Sequence, residues 1–445
     1  VKTFKAIYVM EFRCLLNKKT MGLLLVFILL SLYLVQMGIK NYKTIIENKK
    51  EFQDFELLKV KQYINYGQYG AYGFRLLFLP SPLSVYFVNS SAITELTSNV
   101  DAGEKLNIYN SFKDRTLFAG KSGGFQDFSG IMLLLGSLLM LYFGYESMIH
   151  KDYLRFMAGF TSHRKLFISI VSSRGLIFIL FFLFNTGLSL LLLKINDIVL
   201  SGNEYTYLVI YLGTLLLLMV FFFALGTIAG SLKSRFAGFV TIIAAWFALV
   251  FLVPSVVNTI ISHRAEDIGS NHHLELEKLK TLMDFEKRAI KKAGFLNVNK
   301  RQTESERELI ETYWKKEVKE IQAFEKKLER EMEKNIRRFQ ELSFLFPSTF
   351  YLATCNEISS KGYENFITFF DYIQKLKRKF VRFFIDKRYY SSHSEVESFV
   401  TGDENLFRAK TRLPGGFLKG VLLILAYIAV LFAISFVRFK KSVRL

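Results

Sequence analysis

Three stretches of the chain hold residue types that carry chemistry in other settings. The first is "FAGKSGG", Phe118 to Gly124, whose Gly-Lys-Ser resembles the end of a phosphate-binding loop. That loop cradles phosphates with backbone N–H groups and needs a glycine five residues before Gly120; Arg115 stands there instead. The second is "HRAEDIGSNHHLELE", with His263, His272 and His273 among Glu266, Asp267 and Glu275. Imidazoles and carboxylates ligate divalent metals. Adjacent helical residues point about 100° apart, however, so His272 and His273 share no ligand face. The stretch reads as a solvated helix start, and no metal is expected. The third is the pair Cys14 and Cys355, neither of which sits in a metal or redox spacing. No nucleophile has a base at a specific spacing, so no catalytic residue is expected.

The elements around these stretches are those of a membrane protein. The chain has 445 residues, a formal charge of +20, 51% hydrophobic residues, 46 Phe and 22 Tyr. Six runs reach the roughly 18–25 apolar residues that a helix needs to cross a hydrocarbon core: 21–38, 129–147, 166–193, 205–230, 237–257 and 416–437. Arg174, the intramembrane charge, lies near the start of the third run and reads as an anchor snorkelling to the headgroups.

Basic residues decide orientation. Lys2, Lys5, Arg13, Lys18 and Lys19 precede the first span; Lys151, Arg155, Arg164 and Lys165 follow the second. Lys233 and Arg235 join spans four and five, and Arg438, Lys440, Lys441 and Arg444 end the sequence. Alternating spans put all four sets on one side, the cytoplasmic one, with both termini. Segments 39–128 and 258–415 then lie outside, separating Cys14 from Cys355. The charge resides in short flanks beside the lipid, so no nucleic-acid partner is needed. Residues 438–445 form a cytoplasmic tail.

Segment 1–20 reads as an amphipathic helix on the inner membrane face. In the first outer segment 42–63 is helix-compatible, whereas "YGQYGAYGF" and "LPSPLSVYF" read as loops. In the second, Ile310, Trp314, Val318, Ile321, Phe324, Leu328, Met332, Ile336, Phe339 and Leu342 recur in steps of three and four, a heptad seam. A shorter helix at 274–293 can fold back on it, and Pro347 ends the long helix. A basic, aromatic helix at 366–384 follows. The expected fold is all-α, with six spans and two outer insertions, the second a helical or coiled-coil hairpin.

Between spans two and three lies "GYESMIHKDYLRFMAGFTSHRKLF". Ile149, Tyr153, Phe156, Met157 and Phe160 fit one face of a short helix, while Lys151 and Arg155 repel at i, i+4 unless something compensates. From spacing alone, that face rests on headgroups or docks a protein.

Span order and local motifs resemble the permease subunits of ABC-2-type exporters, in particular the branch related to nitrous-oxide-reductase maturation permeases. "IYVMEFRCLLNKK" resembles the family's elbow helix, with Glu11 and Arg13 in its Glu-x-Arg position. "LPSPLSVYF" is similar to a motif of its first outer loop, and "FPSTFYLATCNEISSKGYENFITFFDYI" to the stretch after its outer helical insert. "YLRFMAGFTSHRKLF" aligns Leu154, Arg155 and Arg164 with the family's coupling segment; His150 and Asp152 depart from its pattern.

The resemblance implies a non-catalytic subunit of a bacterial inner membrane. Residues 148–166 would be a cytoplasmic coupling helix, docking a dimer of ATPase subunits that bind ATP and Mg. It also implies a second permease, identical or paralogous. Export of a substrate is one outcome; driving a periplasmic or envelope partner without transport is another. A membrane receptor or scaffold with a coiled-coil outer domain is the alternative from a different class.

Overall fold

The computed structural model describes residues 8–10, 18–87, 97–101, 127–232, 234–257, 259–260, scattered helical positions from Glu304 to Arg338, and 340–360, 362–390, 396–400 and 403–444. The chain is mostly helical, and among the described residues six helices are long and apolar enough to cross a membrane. They are α1 (Lys18–Lys61), α3 (Phe128–Ile149), α5 (His163–Ile195), α6 (Gly202–Gly230), α7 (Arg235–Val257) and α10 (Phe417–Arg444). Each contains the core of a span expected from sequence. Shorter helices among the described residues include α2 (Tyr66–Tyr72), α4 (Lys151–Ala158), α8 (Pro347–Ile358) and α9 (Tyr363–Ile385).

Spans α3 and α6 pack backbone to backbone. A Cβ on Gly144 would meet the Phe223 carbonyl oxygen, and one on Gly226 or Gly230 would meet the carbonyl of Leu141 or Tyr145. Helices driven together by close packing rather than by water exclusion use small residues in this way. A π-turn at Met132–Gly136 interrupts α3. Trp246 of α7 donates its indole N–H to the Leu134 carbonyl at 3.1 Å, satisfying an acceptor that such a turn loosens from the helical ladder.

At one end of the bundle α8 is inserted between spans. Tyr351 donates to the Ser129 carbonyl (3.1 Å) and shares a hydrogen bond with Tyr211 (3.0 Å). Pro347 occupies the first turn of α8, where its missing N–H costs nothing.

Beyond this end described parts of the two long inter-span segments build one α/β unit. Among the described residues the strands are β1 (Phe74–Leu79), β2 (Thr97–Val100) and β3 (Leu406–Arg408); β1 is central, antiparallel to β2 and parallel to β3. Alternation along β1 sends Phe74, Leu76 and Phe78 to α9 and Leu77 and Leu79 to Ile45 and Phe52 of α1. The T-shaped pairs Phe78–Phe369 and Phe74–Phe380, both 5.3 Å between centroids, fix α9 on the sheet.

The "YGQYGAYGF" and "LPSPLSVYF" stretches are therefore not loops: they form α2, β1 and a short 3-10 helix, Pro82–Tyr86. Asn65 caps α2 by accepting the Gln68 N–H (2.9 Å), and Gly70 lets the Phe384 ring approach. Gly73, at φ 58°, makes the turn into β1. The heptad seam other than Leu342, the 274–293 helix, the histidine cluster, "FAGKSGG", Cys14, Glu11 and Arg13 lie outside the described residues. Residues 8–10 of the amphipathic start are helical.

Candidate functional site

The opposite end of the bundle carries α4, and its position follows from a break in the chain. α3 ends at Ile149, and His150, at φ −85° and ψ 70°, redirects the backbone before α4 begins. α4 stops at Ala158; Gly159 and Phe160 form a turn, and Ser162 caps α5 by accepting the Lys165 N–H. The expected segment 148–166 is thus one eight-residue helix between the ends of two spans. Ile149 belongs to α3, Phe160 to the turn and Arg164 to the first turn of α5.

The expected single apolar face divides in two. Leu154 is 2% exposed and packs with Met148, Leu166, Phe167, Ile170 and Phe439, with Tyr153 and Met157 half-buried beside it. Tyr153 also donates to the sulfur of Met10 at 3.7 Å. α4 is therefore seated in a socket made by α3, α5, the last turns of α10 and the helical residues 8–10. Phe156 and Phe160, 64% and 66% exposed, point away from that socket and stack edge to face at 5.0 Å. Arg155 is exposed on the same helix. Burial in α4 centres on Leu154, which the expected apolar face did not include, so Tyr153 and Met157 flank the buried side and Phe156 falls beyond it.

Arg174 does not snorkel. It is 6% exposed, donates to the Phe143 carbonyl at 3.4 Å and lies 3.9 Å from a carboxylate oxygen of Glu146. Glu146 is in the last turn of α3, four residues before the kink at His150, so the pair ties the root of α4 to α5. The sequence held the signal: Glu146 is the acidic residue in the span preceding Arg174, and a charge inside a membrane needs a partner. Arg174→Leu strands Glu146 and a carbonyl, and should cost about 2–3 kcal/mol, less than a fully buried pair because Glu146 is partly solvated. Arg174→Lys should cost less. Thermal unfolding in detergent checks this, and a leucine variant as stable as the native chain contradicts it.

Basic segments converge here as well. Tyr145 donates to the Arg235 carbonyl at 2.8 Å, bringing the start of α7 beside the end of α3, and α10 brings Phe439 to the socket. Among the described residues no His, Cys, Asp and Glu group has metal-site geometry. Cys355, a free thiol, is fully buried in α8.

A family model described as "ABC-2 family transporter protein" matches residues 5–443. No curated protein and no solved structure matches the chain.

Proposed function

The chain belongs to the ABC-2 transporter family as a multi-pass membrane component, and we propose that it is a permease subunit whose α4 docks a separate ATPase. In this reading the α4 end faces the cytoplasm of a bacterial inner membrane, as the clustered basic residues favour. Both termini are cytoplasmic, and ATP and Mg are bound by the ATPase dimer. A second permease, identical or paralogous, completes the assembly. The likeness to nitrous-oxide-reductase maturation permeases belongs to the same reading.

One observation carries it: α4 is locked on one side and bare on the other. The buried side (Leu154, Tyr153, Met157) transmits force to α3, α5 and α10, while Phe156 and Phe160 offer the exposed aromatic anchor that protein interfaces use. Displacement of α4 would move the spans through Glu146–Arg174, a stiff link of the kind coupling requires.

The test is copurification of the ATPase. Phe156→Asp combined with Phe160→Asp should weaken its binding by about 30-fold or more, the effect of losing a central anchor, while the permease stays folded because both rings are exposed. Leu154→Asp would not discriminate, since it destroys the socket. An ATPase that remains bound and active beside the double variant overturns the docking assignment. A chain that never copurifies an ATPase is instead the receptor or scaffold.

A second reading has its own support. α1 continues unbroken for 23 residues beyond Gly38, from Ile39 to Lys61, and is clamped into the α/β unit by Ile45, Phe52 and Val60. Such a rigid extension suits transmission of force to an envelope partner without transport. ATP-driven movement of α9 in proteoliposomes that move no solute would favour it.

A further inference from the structure

We propose that the α/β unit holds a binding site for a small aliphatic primary amine, independent of the docking reading. A cavity of about 290 Å³ lies between the distal part of α1, the first residue of β1, the 398–400 segment and Asn405. Leu57, Val60, Phe74 and Val400 supply its apolar wall; Asp54, Glu56 and Asn405 supply oxygen acceptors.

Two buried oxygen acceptors on these walls have no aligned hydrogen-bond partner. Asn405 is 2% exposed, and its side-chain oxygen is buried with no hydrogen-bond partner. Native folds rarely leave such a group unanswered without a reason. Glu56, 4% exposed, accepts the Arg75 backbone N–H on Oε2 at 2.8 Å. Its Oε1 faces Arg75 Nε at 3.2 Å but accepts no aligned hydrogen bond. Two wall donors are engaged: Gln53 donates to Asp403 (3.3 Å) and Ser398 to the Val400 carbonyl (2.9 Å). Lys50 stands exposed at the rim.

Spare acceptors, carboxylates and an apolar wall select a ligand that brings donors, positive charge and a short hydrocarbon body. An ammonium group carries three donors and no acceptor. The walls are held in place. The backbone N–H groups of Glu397 and Phe399 donate to the hydroxyls of Tyr66 and Tyr69, each at 3.0 Å, and Lys49 pairs with Asp403 at 3.7 Å across the rim. The volume is at the small end of ligand sites and suits five or six carbons.

The experiment uses the full chain in nanodiscs of zwitterionic lipid, titrated with n-hexylamine, hexan-1-ol and hexanoate at neutral pH. Binding is read by saturation-transfer NMR. Hexylamine should bind at least 10-fold more tightly than hexanol, and hexanoate should not bind. Asn405→Leu should weaken the amine at least 10-fold. Asn405→Asp, which adds a carboxylate without adding bulk, should tighten it; this gain keeps the test decisive where the leucine variant fails to fold. Equal binding of amine and alcohol, or amine binding that neither Asn405 variant changes, overturns the proposal.

Discussion

Gly226→Ala is expected to separate α3 from α6 and leave little folded protein after detergent extraction. The added methyl would sit within contact distance of the Leu141 carbonyl oxygen, and neither atom can rotate away, since one is a Cβ and the other backbone. The helices must part, which breaks the reciprocal contact of Gly144 with Phe223 and of Gly230 with Tyr145. The cost should reach or exceed about 3 kcal/mol, the upper range for overpacking. Gly213 supplies the control on the same helix, because a Cβ there meets nothing within 4 Å. Gly213→Ala should be neutral or stabilising by up to about 1 kcal/mol through helix propensity. Monodispersity and melting temperature measure both. Equal stability of the two alanine variants would rule out backbone contact as the feature that locks these spans.

The second large effect concerns Glu357, at the end of α8 and outside the spans. It is 2% exposed, and its carboxyl accepts the backbone N–H of Tyr363 at 2.8 Å and that of Glu364 at 3.4 Å, capping α9. Gly362 leaves room for the carboxyl, since a Cβ there would meet it. Burial, and then the Glu364 charge, push its pKa up to about 8, against the opposing pull of the two backbone N–H groups and Arg412. The sign follows from proton binding. Between the ordinary value of 4.5 and about 8 the folded chain holds a proton that the unfolded chain has lost. The contribution of Glu357 to stability is therefore fullest below pH 4.5 and falls as pH rises, by about 1.4 kcal/mol per unit at most, levelling above pH 8. Glu357→Gln keeps an acceptor for the N–H groups and removes the titration. Its melting temperature should lack this decline between pH 5 and 8 and exceed that of the native chain at pH 8.5. Parallel profiles for the two proteins would show that Glu357 does not titrate in this window.

The fold was legible in the sequence wherever one residue property suffices. A membrane span is specified by length and hydropathy because lipid forces every backbone group into the helix itself, so six spans could be read off without knowing any contact. Pro347 marked a helix boundary for a similarly local reason. The α/β unit was not legible. Phe74 to Leu79 is nearly all apolar, as a strand covered on both faces must be, and its covers, α1 and α9, lie far apart in sequence. Nothing local distinguishes that run from a loop beside a glycine-rich patch.

The α4 region shows the same division at smaller scale. Composition and spacing placed a short basic, half-apolar helix between spans two and three, and they named Phe156 and Phe160. Which of its apolar residues face inward depended on the backbone angle at His150 and on the socket formed by α3, α5 and α10. Arg174 was visible as a charge inside a span, but its neighbour Glu146 decided whether it reached for water or for a carboxylate. Sequence alone determined the membrane class, the spans and the positions of the charges, since these depend on each segment's own hydropathy and length. Tertiary structure alone decided which side of α4 is bare, how Arg174 is paired and that two distant segments share one sheet. Those outcomes are contacts between residues whose separation along the chain carries no record of their meeting.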